Sequence, residues 1–85
     1  MSKISIYTKK HCPFCIKAKS LLSMKQIKFT EINLNENPDQ FDEMLKKSNG
    51  ARTVPQIFND NKYIGDCDKI YELNSKGSLD KLLGI

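Results

Sequence analysis

The hydrophobic and polar residues in the first half of the chain follow two different periods. Residues 3–8 and 28–34 alternate between apolar and polar side chains, which predicts two β-strands. The alternating positions on one face are Ile4 and Ile6 in the first strand and Thr30, Ile32 and Leu34 in the second. A helical period lies between the strands, so the pattern indicates a parallel strand pair joined by a right-handed crossover.

Two helices are predicted from their starting residues and apolar stripes. The first begins at Pro13, because proline is favoured at the first position of a helix. The second is predicted to follow Asn37 as N-cap, with Pro38 at the first helical position and Gln40 completing a capping box. The apolar stripes comprise Phe14, Ala18, Leu21 and Leu22 in the first helix, and Phe41, Met44 and Leu45 in the second.

The second half of the chain changes to shorter elements. Residues 54–58 and 62–64 are β-like runs on either side of a polar turn at 59–61, which predicts a hairpin. A short helix is expected over 68–73, and a last helix after Gly77, capped by Ser78 and packed through Leu79, Leu82 and Leu83. The order β-α-β-α-β-β-α, with the last short helix following it, predicts an α/β fold with a four-stranded mixed β-sheet flanked by helices.

Length and composition predict one small domain, residues 1–85. Hydrophobic residues make up 39% of the chain and charged residues 28%, which is typical of a folded soluble protein. No apolar run approaches the roughly 20 residues that span a bilayer, and the first residues are too briefly apolar for a signal peptide. We therefore expect a cytoplasmic monomer without membrane association. The net charge of +4 favours anionic partners.

Cys12 and Cys15 form a Cys-x-x-Cys pair at the predicted start of the first helix. With Cys12 at the N-cap, its sulfur can accept hydrogen bonds from the backbone N–H groups of Phe14 and Cys15. These donors, the helix dipole and the nearby Lys9 and Lys10 all stabilise a thiolate. Cys15 faces the apolar stripe, so we expect it to keep its proton. The arrangement predicts that Cys12 attacks a disulfide and that Cys15 resolves the intermediate.

Other interpretations of these residues have less support. Zinc needs three or four ligands, and the sequence offers only Cys67 and His11 beside the pair. Packing of the two cysteines in the core is a second alternative, but it does not explain why a proline begins a helix directly after a strand at this point. Nucleic-acid binding would call for basic residues interleaved with exposed aromatic residues, a pattern that the sequence lacks.

Three motifs together resemble those of the bacterial class I dithiol glutaredoxins. They are Tyr-Thr-Lys-x-x-Cys-Pro-Phe-Cys over residues 7–15, Thr-Val-Pro-Gln-Ile-Phe over 53–58 and Ile-Gly-Asp-Cys-Asp over 64–68. The resemblance covers the whole chain and implies a thioredoxin-like fold with a cis bond between Val54 and Pro55. It also implies a glutathione-dependent reductase of protein disulfides and protein–glutathione mixed disulfides. Glutathione is then a co-substrate, no cofactor is permanently bound, and ribonucleotide reductase is among the suggested partners.

The resemblance further implies a glutathione groove. Lys9 and Gln56 match positions near the glycine carboxylate, and the backbone of Val54 matches the position that pairs with the cysteinyl unit. Cys67 and Asp68 match the helix start that receives the γ-glutamyl group, where free N–H groups suit a carboxylate. The expected glutathione-binding residues are Lys9, Phe14, Thr53, Val54, Pro55, Gln56, Gly65, Asp66, Cys67 and Asp68.

Two positions depart from the family pattern. Asp66 stands where glycine is usual, and Lys69 stands where a second acidic residue is usual. If both side chains point at the ligand, Asp66 disfavours the γ-glutamyl carboxylate and Lys69 the ammonium, which predicts weaker binding of that end. The alternative is that Asp66 caps the following helix and turns away from the groove.

Two rival functions are compared with this one. Glutaredoxin-like reductants recycled by thioredoxin reductase share Cys-x-x-Cys and Val-Pro, but they tend to lack the lysine and the Cys-Asp helix start found here. Iron–sulfur carriers of the monothiol type use a single cysteine in Cys-Gly-Phe-Ser. In this chain Pro13 stiffens the loop and Cys15 competes for Cys12, and both features disfavour binding of a cluster.

Overall fold

The centre of the fold is strand β1 (Ile4–Thr8), all five of whose residues are buried. The structure is a computed structural model that describes residues 3–85. It pairs β1 in parallel with β2 (Phe29–Asn33) and antiparallel with β3 (Gln56–Asn59). β4 (Lys62–Gly65) pairs antiparallel with β3, so the strand order is β2-β1-β3-β4. The predicted mixed sheet of four strands is confirmed.

Helices cover both faces of this sheet. α1 (Pro13–Met24), α3 (Cys67–Ser75) and α4 (Leu79–Leu83) pack on one face, and α2 (Gln40–Lys47) packs on the other. Successive residues of a strand point to opposite faces. The larger core therefore contains Ile4, Ile6, Ile57, Leu22 and Ile70, and the smaller core contains Tyr7, Phe58, Leu34 and Met44.

The start predicted for the second helix is wrong. α2 begins at Gln40 rather than at Pro38, and Asp39 in the N-cap position makes no capping hydrogen bond among the described residues. The reason lies in Asn37, whose side chain donates to the carbonyl of Asn33 at 3.2 Å. Its own carbonyl accepts from the N–H of Gln40 at 3.0 Å. Asn37 is thus part of the preceding turn, and the expected capping box does not form.

Other elements differ from expectation at their ends or in their exposure. Ser78 lies in the predicted N-cap position of α4, but its side chain makes no capping hydrogen bond within the described residues. Phe14, predicted in the apolar stripe of α1, is 57% exposed. α3 begins at Cys67, one residue earlier than expected, and extends to Ser75. No helix within residues 3–85 is long and apolar enough to cross a membrane.

Candidate active site

Cys12 occupies the N-cap of α1, as the sequence predicts. Its backbone is extended, and Pro13 follows at the first helical position. The Cys12 sulfur accepts a hydrogen bond from the backbone N–H of Cys15 at 3.2 Å. The first turn of α1 contains no acidic residue that would oppose a thiolate there. The helix start therefore provides both a donor and a favourable dipole for negative charge on this sulfur.

The two cysteines of the motif differ in exposure. Cys12 is half-buried, whereas Cys15 is 2% exposed and faces the interior of the protein. Their Cα atoms lie 5.2 Å apart and their sulfurs form a disulfide. An incoming molecule therefore reaches Cys12 first, and Cys15 is close enough to form a bond with it.

The loop before Cys12 has an unusual backbone. His11 has a φ of 55°, in the left-handed region that few residues other than glycine adopt. One residue earlier, the N–H of Lys10 donates to the side-chain oxygen of Asn35 at 2.6 Å. Asn35 thus fixes the loop against the end of β2, immediately before the chain turns into α1.

A second loop approaches Cys12 from across the sheet. The Val54–Pro55 peptide bond is cis, as expected, and Pro55 is buried. The carbonyl oxygen of Val54 lies 3.9 Å from the Cys12 sulfur. These two loops are 42 residues apart in the chain but meet at the reactive sulfur.

A groove of about 260 Å³ runs beside this meeting point. Its walls come from α1, from the cis-proline loop and from the start of α3. The lining residues are Phe14, Thr53, Val54, Pro55, Asp66, Cys67 and Asp68. Seven of the ten residues expected to bind glutathione are therefore brought together in one groove, while Lys9, Gln56 and Gly65 lie outside its lining.

Asp66 plays the capping role that the sequence left as the alternative. It is the N-cap of α3, and its carboxylate accepts from the N–H of Lys69 at 2.9 Å. The Lys69 ammonium lies 3.9 Å from Glu72, and Lys69 is not among the lining residues of the groove. The Asp66 carboxylate thus caps α3 and also lines the groove, whereas Lys69 lies outside the lining. Weaker binding of the γ-glutamyl end through Asp66 therefore remains a prediction.

Gln56, expected near the glycine carboxylate, is turned away from solvent. It is 1% exposed, and its amide nitrogen donates to the Thr53 carbonyl at 2.9 Å. Its amide oxygen accepts from the Tyr63 hydroxyl at 2.5 Å. The side chain therefore contacts its neighbours in the protein and does not reach the groove directly.

The cations of Lys9 and Arg52 both lie close to the ring of Phe41. The Lys9 ammonium is 5.8 Å from the ring centroid, and the Arg52 guanidinium is 5.9 Å from it. Lys9 precedes the Cys12 loop, and Arg52 directly precedes Thr53 of the groove. Sequence analysis missed Arg52, although its position next to the Thr-Val-Pro motif was a signal that could have identified it.

Gly65 and Cys67 flank Asp66 at the start of α3. Gly65 has a φ of 146°, which side chains rarely tolerate. Cys67 is 3% exposed, and burial raises the pKa of its thiol, an effect that Lys17 partly offsets. Cys67 therefore stays a neutral thiol in the wall of the groove at neutral pH. No group of three or more His, Cys, Asp or Glu side chains in residues 3–85 could hold a metal ion.

Comparisons with known proteins agree with this geometry. The glutaredoxin family model matches residues 4–64. The chain is 48% identical over 83 residues to glutaredoxin 3 of Escherichia coli K12, covering 98% of this chain and 99% of that protein. It is 47% identical over 81 residues to glutaredoxin 1 of Rickettsia conorii, covering 94% of this chain and 79% of that one.

Solved structures show the same similarity. A crystal structure of a buckwheat glutaredoxin–glutathione complex superposes with a TM-score of 0.84 at 26% identity, covering 96% of this chain and 76% of that chain. The solution structure of glutaredoxin from Brucella melitensis has a TM-score of 0.81 at 41% identity, covering 98% and 89%.

A helix-capping Cys-x-x-Cys pair beside a cis-proline loop on a four-stranded mixed sheet defines a thioredoxin-like thiol–disulfide oxidoreductase. The matching family model and relatives that share nearly half of their residues with this chain identify its family within that class. The chain belongs to the glutaredoxin family.

Proposed function

We propose that this protein is a glutathione-dependent oxidoreductase that reduces protein–glutathione mixed disulfides and protein disulfides, with Cys12 as nucleophile and Cys15 as resolving thiol. The observation that carries the proposal is the position of the Cys12 sulfur. It accepts the N–H of Cys15 at a helix start and lies 3.9 Å from the Val54 carbonyl at the edge of a groove. A nucleophile and a binding groove for its substrate are thereby adjacent.

The one-thiol reaction on a mixed disulfide needs only Cys12. Its thiolate attacks the glutathione sulfur, the disulfide bond of the substrate breaks, and the protein substrate leaves as a thiolate that takes a proton from water. The product is a disulfide between Cys12 and glutathione. A second glutathione thiolate then attacks the bound glutathione sulfur, releasing oxidised glutathione and restoring the Cys12 thiolate.

The two-thiol reaction on a protein disulfide also uses Cys15. Cys12 attacks one sulfur of the substrate and forms a mixed disulfide, and the other substrate sulfur leaves as a thiolate. Cys15 loses its proton and attacks Cys12, so that the second substrate thiolate leaves and the Cys12–Cys15 disulfide forms. Two molecules of glutathione reduce that disulfide, and both are oxidised to glutathione disulfide.

We assign the ends of glutathione from charge and hydrogen-bonding groups. The glycine carboxylate is placed toward Lys9, with Arg52 beside it on the Phe41 ring. The cysteinyl unit lies along Thr53, Val54 and Pro55, and Phe14 covers it. The γ-glutamyl carboxylate meets the N-terminus of α3, and its ammonium meets Asp68. Gly65, Asp66 and Cys67 shape this end of the groove, and Gln56 acts from behind it.

A coupled assay tests the proposal. Glutathione, glutathione reductase and NADPH are mixed with a glutathionylated peptide, and NADPH oxidation is followed. We expect turnover by the wild type, retained turnover by Cys15→Ser and none by Cys12→Ser, because only Cys12 lies at the helix N-cap. Retained activity in Cys12→Ser would contradict the assignment of the nucleophile.

A parallel assay with thioredoxin reductase in place of glutathione and glutathione reductase provides the control. Efficient turnover there, with none in the glutathione assay, would favour the rival reductant class. In the cell we propose a single-domain cytoplasmic monomer whose partners are glutathionylated or disulfide-bonded proteins, with ribonucleotide reductase as one candidate. Neither nucleic acid nor membrane is a proposed partner.

A further inference from the structure

A chain of hydrogen bonds runs from β4 to the wall of the groove. The Tyr63 hydroxyl donates to the Gln56 amide oxygen at 2.5 Å. The Gln56 amide nitrogen donates to the Thr53 carbonyl at 2.9 Å and lies 3.4 Å from the Thr53 hydroxyl oxygen. Thr53 lines the groove, whereas Gln56 and Tyr63 do not. The chain thus connects a groove residue to two residues behind it.

The direction of these bonds is fixed by chemistry. The Thr53 carbonyl can only accept, so the NH₂ end of the Gln56 amide must face it. The amide oxygen then faces Tyr63, whose hydroxyl must donate. Burial raises the pKa of the Tyr63 phenol, and the Asp66 carboxylate adds to this, so the hydroxyl keeps its proton at neutral pH.

The β-sheet brings these residues together through an irregularity. Tyr63 pairs with Phe58, but Ile57 pairs with Gly65, so the register shifts by one residue between them. Such a bulge redirects side chains locally. The Tyr63 ring packs against Phe58, with ring centroids 5.2 Å apart, and its hydroxyl reaches Gln56 on the same face. Gln56 is 1% exposed, so its amide has no water to replace a lost partner.

We propose that Gln56 and Tyr63 are positioning residues that hold Thr53 in the orientation in which the groove binds the glutathione moiety of the substrate. This inference rests on the proposed function and deepens it. Gln56 and Tyr63 act through Thr53 and do not touch the reacting sulfurs. Loss of either link therefore weakens glutathione recognition, while the hydrogen bond from the Cys15 N–H to Cys12 at the start of α1 remains intact.

The test compares Tyr63→Phe with Tyr71→Phe in the full chain. Tyr63→Phe keeps the ring on Phe58 and removes only the hydroxyl. Tyr71→Phe removes a hydroxyl that donates to the Lys17 carbonyl at 3.1 Å, between α3 and α1 and away from the groove. For each variant, KM and kcat are measured with a glutathionylated peptide, together with the alkylation rate of reduced Cys12 and the melting temperature.

We expect Tyr63→Phe to raise KM about three- to tenfold, the usual effect of losing one hydrogen bond to a buried amide, with kcat and the Cys12 alkylation rate near wild type. The side-chain amide signals of Gln56 in a ¹⁵N–¹H spectrum should shift. Tyr71→Phe should leave KM unchanged. Gln56→Met should raise KM as well, and the double variant should be no worse than Gln56→Met alone, because both changes break one chain.

An unchanged KM in Tyr63→Phe would overturn the inference, as would strictly additive effects of the two changes. A similar loss in Tyr71→Phe would show a general effect of hydroxyl removal and would also overturn it. These results leave the proposed function intact, since wild-type turnover is measured in the same experiment. Absence of wild-type turnover would overturn the proposed function and this inference with it.

Discussion

At the scale of single residues, Asp66 decides how α3 begins. Its carboxylate accepts from the N–H of Lys69 at 2.9 Å, so it satisfies a donor that has no partner within the helix. We predict that Asp66→Ala lowers the free energy of unfolding by about 1 kcal/mol, which lowers the melting temperature by about 4–8 °C in a domain of this size. Chemical denaturation and thermal melting measure the loss.

Asp39→Ala is the matched control for this prediction. Asp39 is also an N-cap aspartate, but its side chain makes no capping hydrogen bond among the described residues. Its replacement should cost clearly less than that of Asp66. Equal losses in the two variants would mean that the helix dipole, and not the hydrogen bond to Lys69, accounts for the effect. Asp66→Asn, which keeps an acceptor, should stay close to wild type.

Position 65 requires a glycine because of its backbone conformation and because of the Lys69 side chain beside it. Its φ is 146°, and an added Cβ would lie 2.5 Å from Cγ and 2.6 Å from Cβ of Lys69. We predict that Gly65→Ala destabilises the fold by about 2 kcal/mol or more, since the backbone conformation and the steric contact both oppose a side chain. Thermal melting measures the change in stability.

The double variant Gly65→Ala/Lys69→Ala separates the two causes. Truncating Lys69 removes its Cγ but leaves its Cβ and the backbone conformation of residue 65. We expect the double variant to recover only part of the loss, with Lys69→Ala alone close to wild type. Full recovery would show that the Lys69 side chain was the only obstacle.

At the scale of elements, Glu31 joins two strands and a helix. Glu31 of β2 accepts from the hydroxyl of Thr8 in β1 at 2.7 Å and lies 3.1 Å from the ammonium of Lys19 in α1. The hydrogen bond from Thr8 is the main cause that lowers the pKa of Glu31, with Lys19 adding to it and burial opposing it. The carboxylate thus holds the end of β1, immediately before the Cys12 loop.

This lowered pKa predicts a pH dependence of stability. The carboxylate contributes fully above the pKa of the unfolded chain, and the contribution is lost as pH falls through the lower pKa of the folded state. We expect wild type to exceed Glu31→Gln in stability at pH 7 by at most about 1 kcal/mol, because the pair is partly exposed. The difference should shrink between about pH 5 and pH 3. Denaturant unfolding at several pH values measures it.

Glu36→Gln controls for the general effect of removing a carboxylate from the same region. Glu36 is exposed, and its side chain makes no hydrogen bond within residues 3–85. The difference in unfolding free energy between Glu36→Gln and wild type should stay small at every pH. A Glu31→Gln difference that remained constant down to pH 3 would contradict the assigned role of the charged carboxylate.

The elements differ in how well their sequence predicted them. β1, α1 and the hairpin were predicted because their alternation, proline start and polar turn are local features. The start of α2 was not predicted correctly. Asn37 and Asp39 are both favourable N-cap residues, but the Asn37 side chain is bonded to Asn33, so α2 starts after Asp39. Phe14 was assigned both to the apolar stripe of α1 and, through the family resemblance, to the groove, because helical spacing alone cannot distinguish a core position from the wall of a groove at the helix start. Its exposure fits the second assignment.

At the scale of the whole molecule, the sheet brings three distant motifs to one site. That the motifs meet was predictable, because the loops that follow or precede neighbouring strands at the same edge of a sheet lie close together. The orientation of individual side chains within the motifs was not. Gln56 turns to Tyr63 across the β3–β4 hairpin, and both Lys9 and Arg52 lie close to the Phe41 ring. These orientations depend on contacts between different elements of the fold and not on the local sequence pattern.

The distribution of charge over the whole molecule predicts how salt affects the reaction. The chain carries a net charge of +4, and Lys9, Lys10 and Arg52 lie in the loops that approach Cys12. Glutathione is an anion, so these charges attract it and salt weakens the attraction, since the screening length falls from about 30 Å at 0.01 M to about 8 Å at 0.15 M. We expect kcat/KM for glutathionylated substrate to fall about two- to fivefold over that range.

Alkylation of Cys12 by neutral iodoacetamide should not change with salt, because an uncharged reagent is not steered by the charges of the protein. Lys10→Gln should reduce the salt dependence and Lys81→Gln, on α4, should not. A salt dependence that is the same for iodoacetamide and for the glutathionylated substrate would show that salt acts on the thiolate itself, and not on the approach of the substrate.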